Sequence, residues 1–139
     1  MVELTEIELF KDFIIITDHD KNYDLHSDYE CTFLEYDSVV RNLIMQFEKI
    51  KNNRKTEKKL AIVFLEARLA NVSISFPRGK GPSTIDIIYR GRFEENGELR
   101  EVTDAGERYF YLIFEDGDSF EVYSKKVVFL NSYPSEDIG

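Results

Sequence analysis

From residue 84 onward the chain is written as hairpins, and that grammar constrains the fold more than any other feature. Asn96-Gly97 and Asp116-Gly117 accept the positive φ of a tight turn, and aromatic and β-branched residues flank both. Tyr109 to Phe114 is apolar on both faces, which predicts a central strand. Asp116-Gly117 turns it into Phe120, Val122 and a further run from Val127 to Leu130. Upstream, alternation predicts that Ile85, Ile87, Tyr89 and Phe93 share one face of a strand, with Asp86, Arg90 and Arg92 on the other.

The rest of the chain adds strands. An inventory of 11 Phe and 8 Tyr with no Trp, beside many Ile and Val, suits half-buried pleated surfaces. Phe13-Ile14-Ile15-Ile16-Thr17 is a β-branched run that meets the polar cluster Asp18-His19-Asp20-Lys21-Asn22, a strand followed by a turn. Leu60 to Leu65 is continuously apolar, and periodicity alone does not fix its state. Its length and Ile-Val-Phe centre favour a buried strand, with a helix capped at Thr56 and ending near Asn71 as the alternative. Val72, Ile74 and Phe76 alternate with Ser73 and Ser75, as a strand with one wet face would, before the loop Pro77-Arg78-Gly79-Lys80-Gly81-Pro82.

One segment predicts a helix. Tyr36, Val40, Leu43, Phe47 and Ile50 recur at steps of four, three, four and three, one face of a helix over 33–52. Thr32 and Glu35 have the spacing of a capping box, and Asp37 or Ser38 offers a later start. The expectation is one domain over 1–139, of α+β class. A mostly antiparallel sheet of five to seven strands carries one principal amphipathic helix packed across it.

Charge is unevenly placed. Residues 1–37 hold 11 acidic and 2 basic side chains, while the remainder is balanced, so the whole net charge of −9 belongs to the N-terminal quarter. Residues 41–59 are locally basic, with seven cations against two anions. An acidic field repels phosphate backbones and attracts basic partners. The basic stretch Lys49 to Lys59 contains no aromatic residue, and a solvated connection around Asn52 to Thr56 explains it better than nucleic-acid binding. No run approaches the roughly 20 apolar residues of a membrane span, and the opening MVELTEIELF lacks a basic leader. A cytoplasmic protein with no direct nucleic-acid or membrane partner is expected. The lone Cys31 is expected to be a small buried hydrophobe.

Chemical motifs are sparse. Dinucleotide, phosphate-loop, zinc-protease and paired-cysteine signatures are absent, and RGKG at 78–81 lacks the spacing of a nucleotide-binding loop. Both histidines, His19 and His26, fall in TDHDKNYDLHSDYEC among Asp18, Asp20, Asp24, Asp28 and Glu30. That crowding can ligate a cation, host acid–base chemistry, or present an acidic contact surface. The spacing fits no calcium loop. No metal and no cofactor is expected.

The segment 33–52, the following KKLAIVFL and the stretch YFYLIFEDGDSFEVYSKKVVFLNS at 109–132 together resemble a known family. It is that of the small immunity proteins that neutralise contact-dependent inhibition and related polymorphic bacterial toxins. Tyr111, Phe114, Glu115, Asp116, Val122, Tyr123, Val128, Phe129 and Leu130 carry the hairpin part of the resemblance. The chain departs from the pattern in having no Trp and an extra hairpin at 84–103. The resemblance implies a non-enzymatic inhibitor that binds a toxin domain and blocks it. The expected partner is a basic, nuclease-type toxin or another nucleic-acid-directed protein. Asp18, Asp20, Asp24, Asp28 and Glu30 would supply the electrostatic contact, with Tyr23 and Tyr29 as anchors. A phage or mobile-element inhibitor of a host nucleic-acid-binding factor shares this physics. A small enzyme with a His/Asp site near 18–30 and a scaffold subunit joined through a sheet edge are further alternatives.

Overall fold

The computed structural model describes residues 1–50, 59–74 and 84–133, and every regular element among them is a strand. In chain order these are β1 (Val2–Glu3), β2 (Ile15–Asp18), β3 (Lys21–Asp24), β4 (Tyr29–Asp37), β5 (Asn42–Lys49) and β6 (Lys59–Ser73). They continue as β7 (Ile85–Gly91), β8 (Phe93–Glu95), β9 (Glu98–Arg100), β10 (Arg108–Phe114) and β11 (Ser119–Tyr133). The main sheet runs β4-β5-β6-β11-β10-β7, with β1 as a seventh strand on β11, and curls into an antiparallel half-barrel. Hairpins β2-β3 and β8-β9 stand apart from it.

The fold is therefore all-β, and the expected α+β class with a principal helix is wrong. Residues 33–50 form parts of β4 and β5, joined by a turn at 38–41 in which Asp37 Oδ1 accepts the Val39 and Val40 amides and Arg41 takes a φ of 59°. Of the expected helical stripe, Leu43 and Phe47 also fit a strand, whereas Val40 is exposed in the turn. Leu43, Met45 and Phe47 alternate into the core, and β5 pairs with β4 on one side and β6 on the other. A helix would have put Met45 off the buried face. Cross-strand burial of all three overrides the local period. The strand reading of 60–65 is what β6 shows, whereas Phe76, the 78–81 loop and the connection at 52–56 lie outside the described residues.

Strands β6 and β11, fifteen residues each, pair along their length and form the spine of the sheet. Both change face at the same level. Leu60, Ile62 and Phe64 point into the core and then Ala67 does; on β11, Phe120 and Val122 do, then Val127 and Phe129. Glu66 takes a φ of 45° at the switch and pairs with Lys125 at 3.6 Å. The buried Ser124 hydroxyl lies 2.7 Å from the Leu65 carbonyl and 3.0 Å from that of Lys126. One consequence is a small second cluster, Ala61, Val63, Val128 and Leu130, on the opposite face.

The core holds Phe47, Phe64, Phe110, Phe114, Phe120 and Phe129, all fully buried. Each contributes about 1.5–3 kcal/mol by leaving water. The acidic N-terminal segment closes this core: Leu4, Phe13, Ile16, Tyr23 and Leu25 belong to it. Amides of Leu4, Phe10 and Phe13 donate to Val127, Arg90 and Ile88 carbonyls at 2.7, 2.7 and 2.9 Å. Glu6 reaches both Arg90, at 3.6 Å, and Arg108. The apolar side chains face in, leaving Glu3, Glu6, Glu8, Asp12, Asp20 and Asp28 exposed. Among the described residues no helix is long and apolar enough to cross a membrane.

Candidate protein-interaction face

On the far side of the β7-β10-β11-β6 region from the core, the sheet displays tyrosines. Tyr109 pairs in register with Tyr123, and Tyr111 with both Tyr89 and Glu121. Ring centroids are 5.2 Å apart for Tyr109–Tyr123 and 5.6 Å for Tyr89–Tyr111. Two irregularities bring these residues to one face. A bulge shifts the β7–β10 register between Ile85 and Ile87, so Ile85, Ile88 and Arg90 turn inward while Ile87 and Tyr89 turn outward. The simple alternation expected for Ile85, Ile87, Tyr89 and Phe93 is thus corrected: Ile85 leaves that set and Arg90 enters the core side. The switch at Glu66 then puts Arg68 beside Tyr123.

Gly91 completes the platform by having no side chain. A Cβ there would come within 3.2 Å of the Tyr109 ring, which occupies the space. Phe93 packs edge-on to Tyr123 at 5.5 Å, and Phe10 does so to Tyr89 at 6.0 Å. Arg68 stacks on Tyr123, and Arg92 lies 5.7 Å from the Phe10 ring centre. Every one of these arginines has an acidic neighbour: Arg68 has Glu107, Arg92 has Glu101, and Arg100 has Glu95 and Asp104. With Glu121 counted, five carboxylates stand beside these three guanidiniums, and Glu101 also holds Arg90 at 3.3 Å.

Burial, and then hydrogen bonding to Glu121, hold the Tyr109 phenol far above its usual range. Burial likewise raises Tyr89 and Tyr123, with the Glu121 charge adding to both. These rings are neutral donors and flat apolar surfaces at any physiological pH. They offer large contact area at low entropic cost, the property that places Tyr and Arg at binding hot spots. The sequence signal is the period-two spacing of Tyr109 and Tyr111 on one strand and of Glu121 and Tyr123 on the next, which marks one face of each without saying whether that face is core.

The residues expected from the acidic segment are divided. Asp18 is buried, accepting from Asn131 Nδ2 at 3.0 Å. Tyr23 and Tyr29 are buried too, Tyr23 packing 5.2 Å from Phe129 and 6.3 Å from Tyr29. Asp24 Oδ1 accepts the His26 and Ser27 amides and shapes the turn. Asp20 and Asp28 are exposed and Glu30 is half-buried. The two histidines have different partners. His19 is 3.7 Å from Asp18, whereas His26 Nδ1 is 2.7 Å from the Ile85 carbonyl and Nε2 is 3.3 Å from Glu115. Among the described residues no three His, Cys, Asp or Glu side chains gather as metal ligands. Cys31 is buried. A cleft of about 380 Å³ lies between the β1 region and β2, lined by Leu4, Ile7, Phe13 and Ile15 with Glu3 and Glu6.

No protein-family model, curated protein or solved structure matches the chain.

Proposed function

We propose that this is a binding protein that neutralises a basic protein partner, in the manner of a toxin-immunity protein, through its tyrosine-lined outer face. The observation that carries the reading is the set of four half-buried tyrosines with Arg68 on one face of a rigid sheet. A central aromatic cluster with arginine and a polar rim is the composition that dominates binding energy at protein interfaces. Exposed carboxylates of the N-terminal segment, Asp20 and Asp28 among them, extend the negative field that would speed encounter with a cationic domain. The segment read as a helix in the family resemblance lies in β4 and β5, and residues 108–124 pair as the β10-β11 hairpin.

The test is capture from the source organism with the full chain as bait, beside a Tyr89→Ser/Tyr111→Ser variant. The expected result is one basic protein held by the wild type, released by salt and lost with the variant. Expressed alone, that protein should be toxic, and co-expression of this chain should relieve the toxicity. Capture that does not distinguish the two baits, or a captured protein without toxicity, overturns the reading.

A further inference from the structure

Glu121 occupies an unusual place on the tyrosine face. Its Cα partner across the ladder is Tyr111, Tyr123 follows two residues later on the same side, and Tyr109 stands diagonally opposite. Asn71 Nδ2 donates to its Oε2 at 2.6 Å. Among the described residues no cation pairs with it, although Arg68, stacked on Tyr123, and the neighbouring Arg92 and Arg100 are all matched. A half-buried carboxylate has about four acceptor positions, of which Asn71 and the hydrogen bond from Tyr109 take two. Its charge is felt by Tyr89, Tyr109 and Tyr123, whose phenols it helps to hold protonated.

We propose that Glu121 and the surrounding Tyr89, Tyr109, Tyr111 and Tyr123 form a receptor for one arginine side chain presented by the partner. The inference rests on the docking role of this face and names the chemistry at its centre. A guanidinium satisfies both halves of such a site: its fork meets a carboxylate through two donors while its plane stacks on aromatic rings. The fold already shows the arrangement once. Arg68 stacks 4.0 Å from the centre of Tyr123 while its Nε donates to Glu107. Two residues along the ladder from the Tyr109–Tyr123 pair, Tyr111 again sets a ring against a carboxylate, Glu121, without a guanidinium among the described residues. Lysine would answer the charge but not the fork or the stack, so arginine is the better match.

The experiment needs no partner. Amide NMR spectra of the full chain are recorded while N-acetyl-arginine amide is added, with N-acetyl-citrulline amide as the neutral probe of equal shape. Saturable shifts are expected at Tyr109, Tyr111, Glu121 and Tyr123 with the arginine probe and not with the citrulline one. Glu121→Gln should weaken the arginine probe about tenfold, the loss of one charge-assisted contact, with the rest of the spectrum unchanged. Tyr111→Leu, which keeps the carboxylate and removes a ring, should weaken it about threefold. Shifts spread over the acidic N-terminal segment, equal response to citrulline, or unchanged affinity in both variants would overturn the receptor. Those outcomes leave the docking face to be judged by the capture experiment, so the two failures are distinguishable.

Discussion

Arg68 lies over Tyr123 with its guanidinium carbon 4.0 Å from the ring centre, and the same guanidinium holds Glu107 through Nε at 3.1 Å. The Glu107 side chain is only 5% exposed, and among the described residues its other side-chain partner is the Thr103 hydroxyl, also at 3.1 Å from Oε1. Arg68 therefore does two jobs, covering an aromatic ring and neutralising a carboxylate that folding has removed from water.

Removing that cation should be costly. Arg68→Met keeps much of the stem's contact but leaves Glu107 with one hydroxyl, and stability should fall by about 2–3 kcal/mol. Arg68→Lys should restore less than half, because an ammonium neither stacks flat nor matches the geometry. The double change Arg68→Met/Glu107→Gln should recover part of the loss, since no charge is then stranded. Urea unfolding of the wild type, Arg68→Met, Glu107→Gln and the double variant reads the coupling directly, and additive losses would show that the pair is not a unit.

Gly91→Val tests whether the platform depends on an empty space. Any Cβ at this position meets the Tyr109 ring at 3.2 Å, so the ring must move, and Tyr123 stands on its other side with 5.2 Å between the ring centres. The position is an ordinary strand residue, and the cost to stability should stay at about 1 kcal/mol. Binding of a captured partner should weaken by more than that cost conveys, because it is the display of Tyr109 that changes. A variant with normal affinity would remove Tyr109 from the contact.

Parts of this molecule were legible in the sequence because they depend on neighbours along the chain. Gly97 and Gly117 sit at φ of 81° and 94°, and a turn there is a local necessity. The misread helix shows the limit. Leu43 and Phe47 belong equally to a period near 3.6 and to a period of two, and what decides between them is β6, more than ten residues away. The acidic segment was equally legible as charge, yet Asp18 turns inward to Asn131, 113 positions distant. The tyrosine face needed the bulge at β7 and the paired switch at Glu66, neither of which leaves a mark in hydrophobic alternation.

The β8-β9 turn gives a clean backbone measurement. Asn96 and Gly97 link Glu95 to Glu98 in register, at φ of 53° and 81°. Nothing lies within 4 Å of a Cβ built on Gly97, so Gly97→Ala introduces no clash and reports only conformational strain. It should cost about 1–2 kcal/mol, read as a lower thermal midpoint. Asn96→Gly should be close to neutral, because Asn already tolerates the left-handed region. A neutral Gly97→Ala would mean that the turn changes type to accept it.

His26 should make stability fall as pH rises. Its Nδ1 faces the Ile85 carbonyl at 2.7 Å and its Nε2 faces Glu115 at 3.3 Å, so both nitrogens have acceptors and the imidazolium fits best. The carbonyl is the main cause of a pKa raised above the ordinary 6.5; burial opposes it, and Glu115, Asp86 and Asp24 add to the rise. Because the folded state holds this proton more tightly, it binds more protons than the unfolded state in the window above 6.5. The stabilisation is thus fully present below that value and is lost as pH climbs through the folded pKa. Unfolding of the wild type and His26→Gln between about pH 5.5 and 8.5 should show a difference that is largest at the acid end and shrinks upward. NMR titration of the ring should give a lower pKa in Glu115→Gln than in the wild type. A difference that stays flat or grows with pH would mean that His26 is held as the neutral ring, with Nδ1 still donating to Ile85 and no charge shared with Glu115.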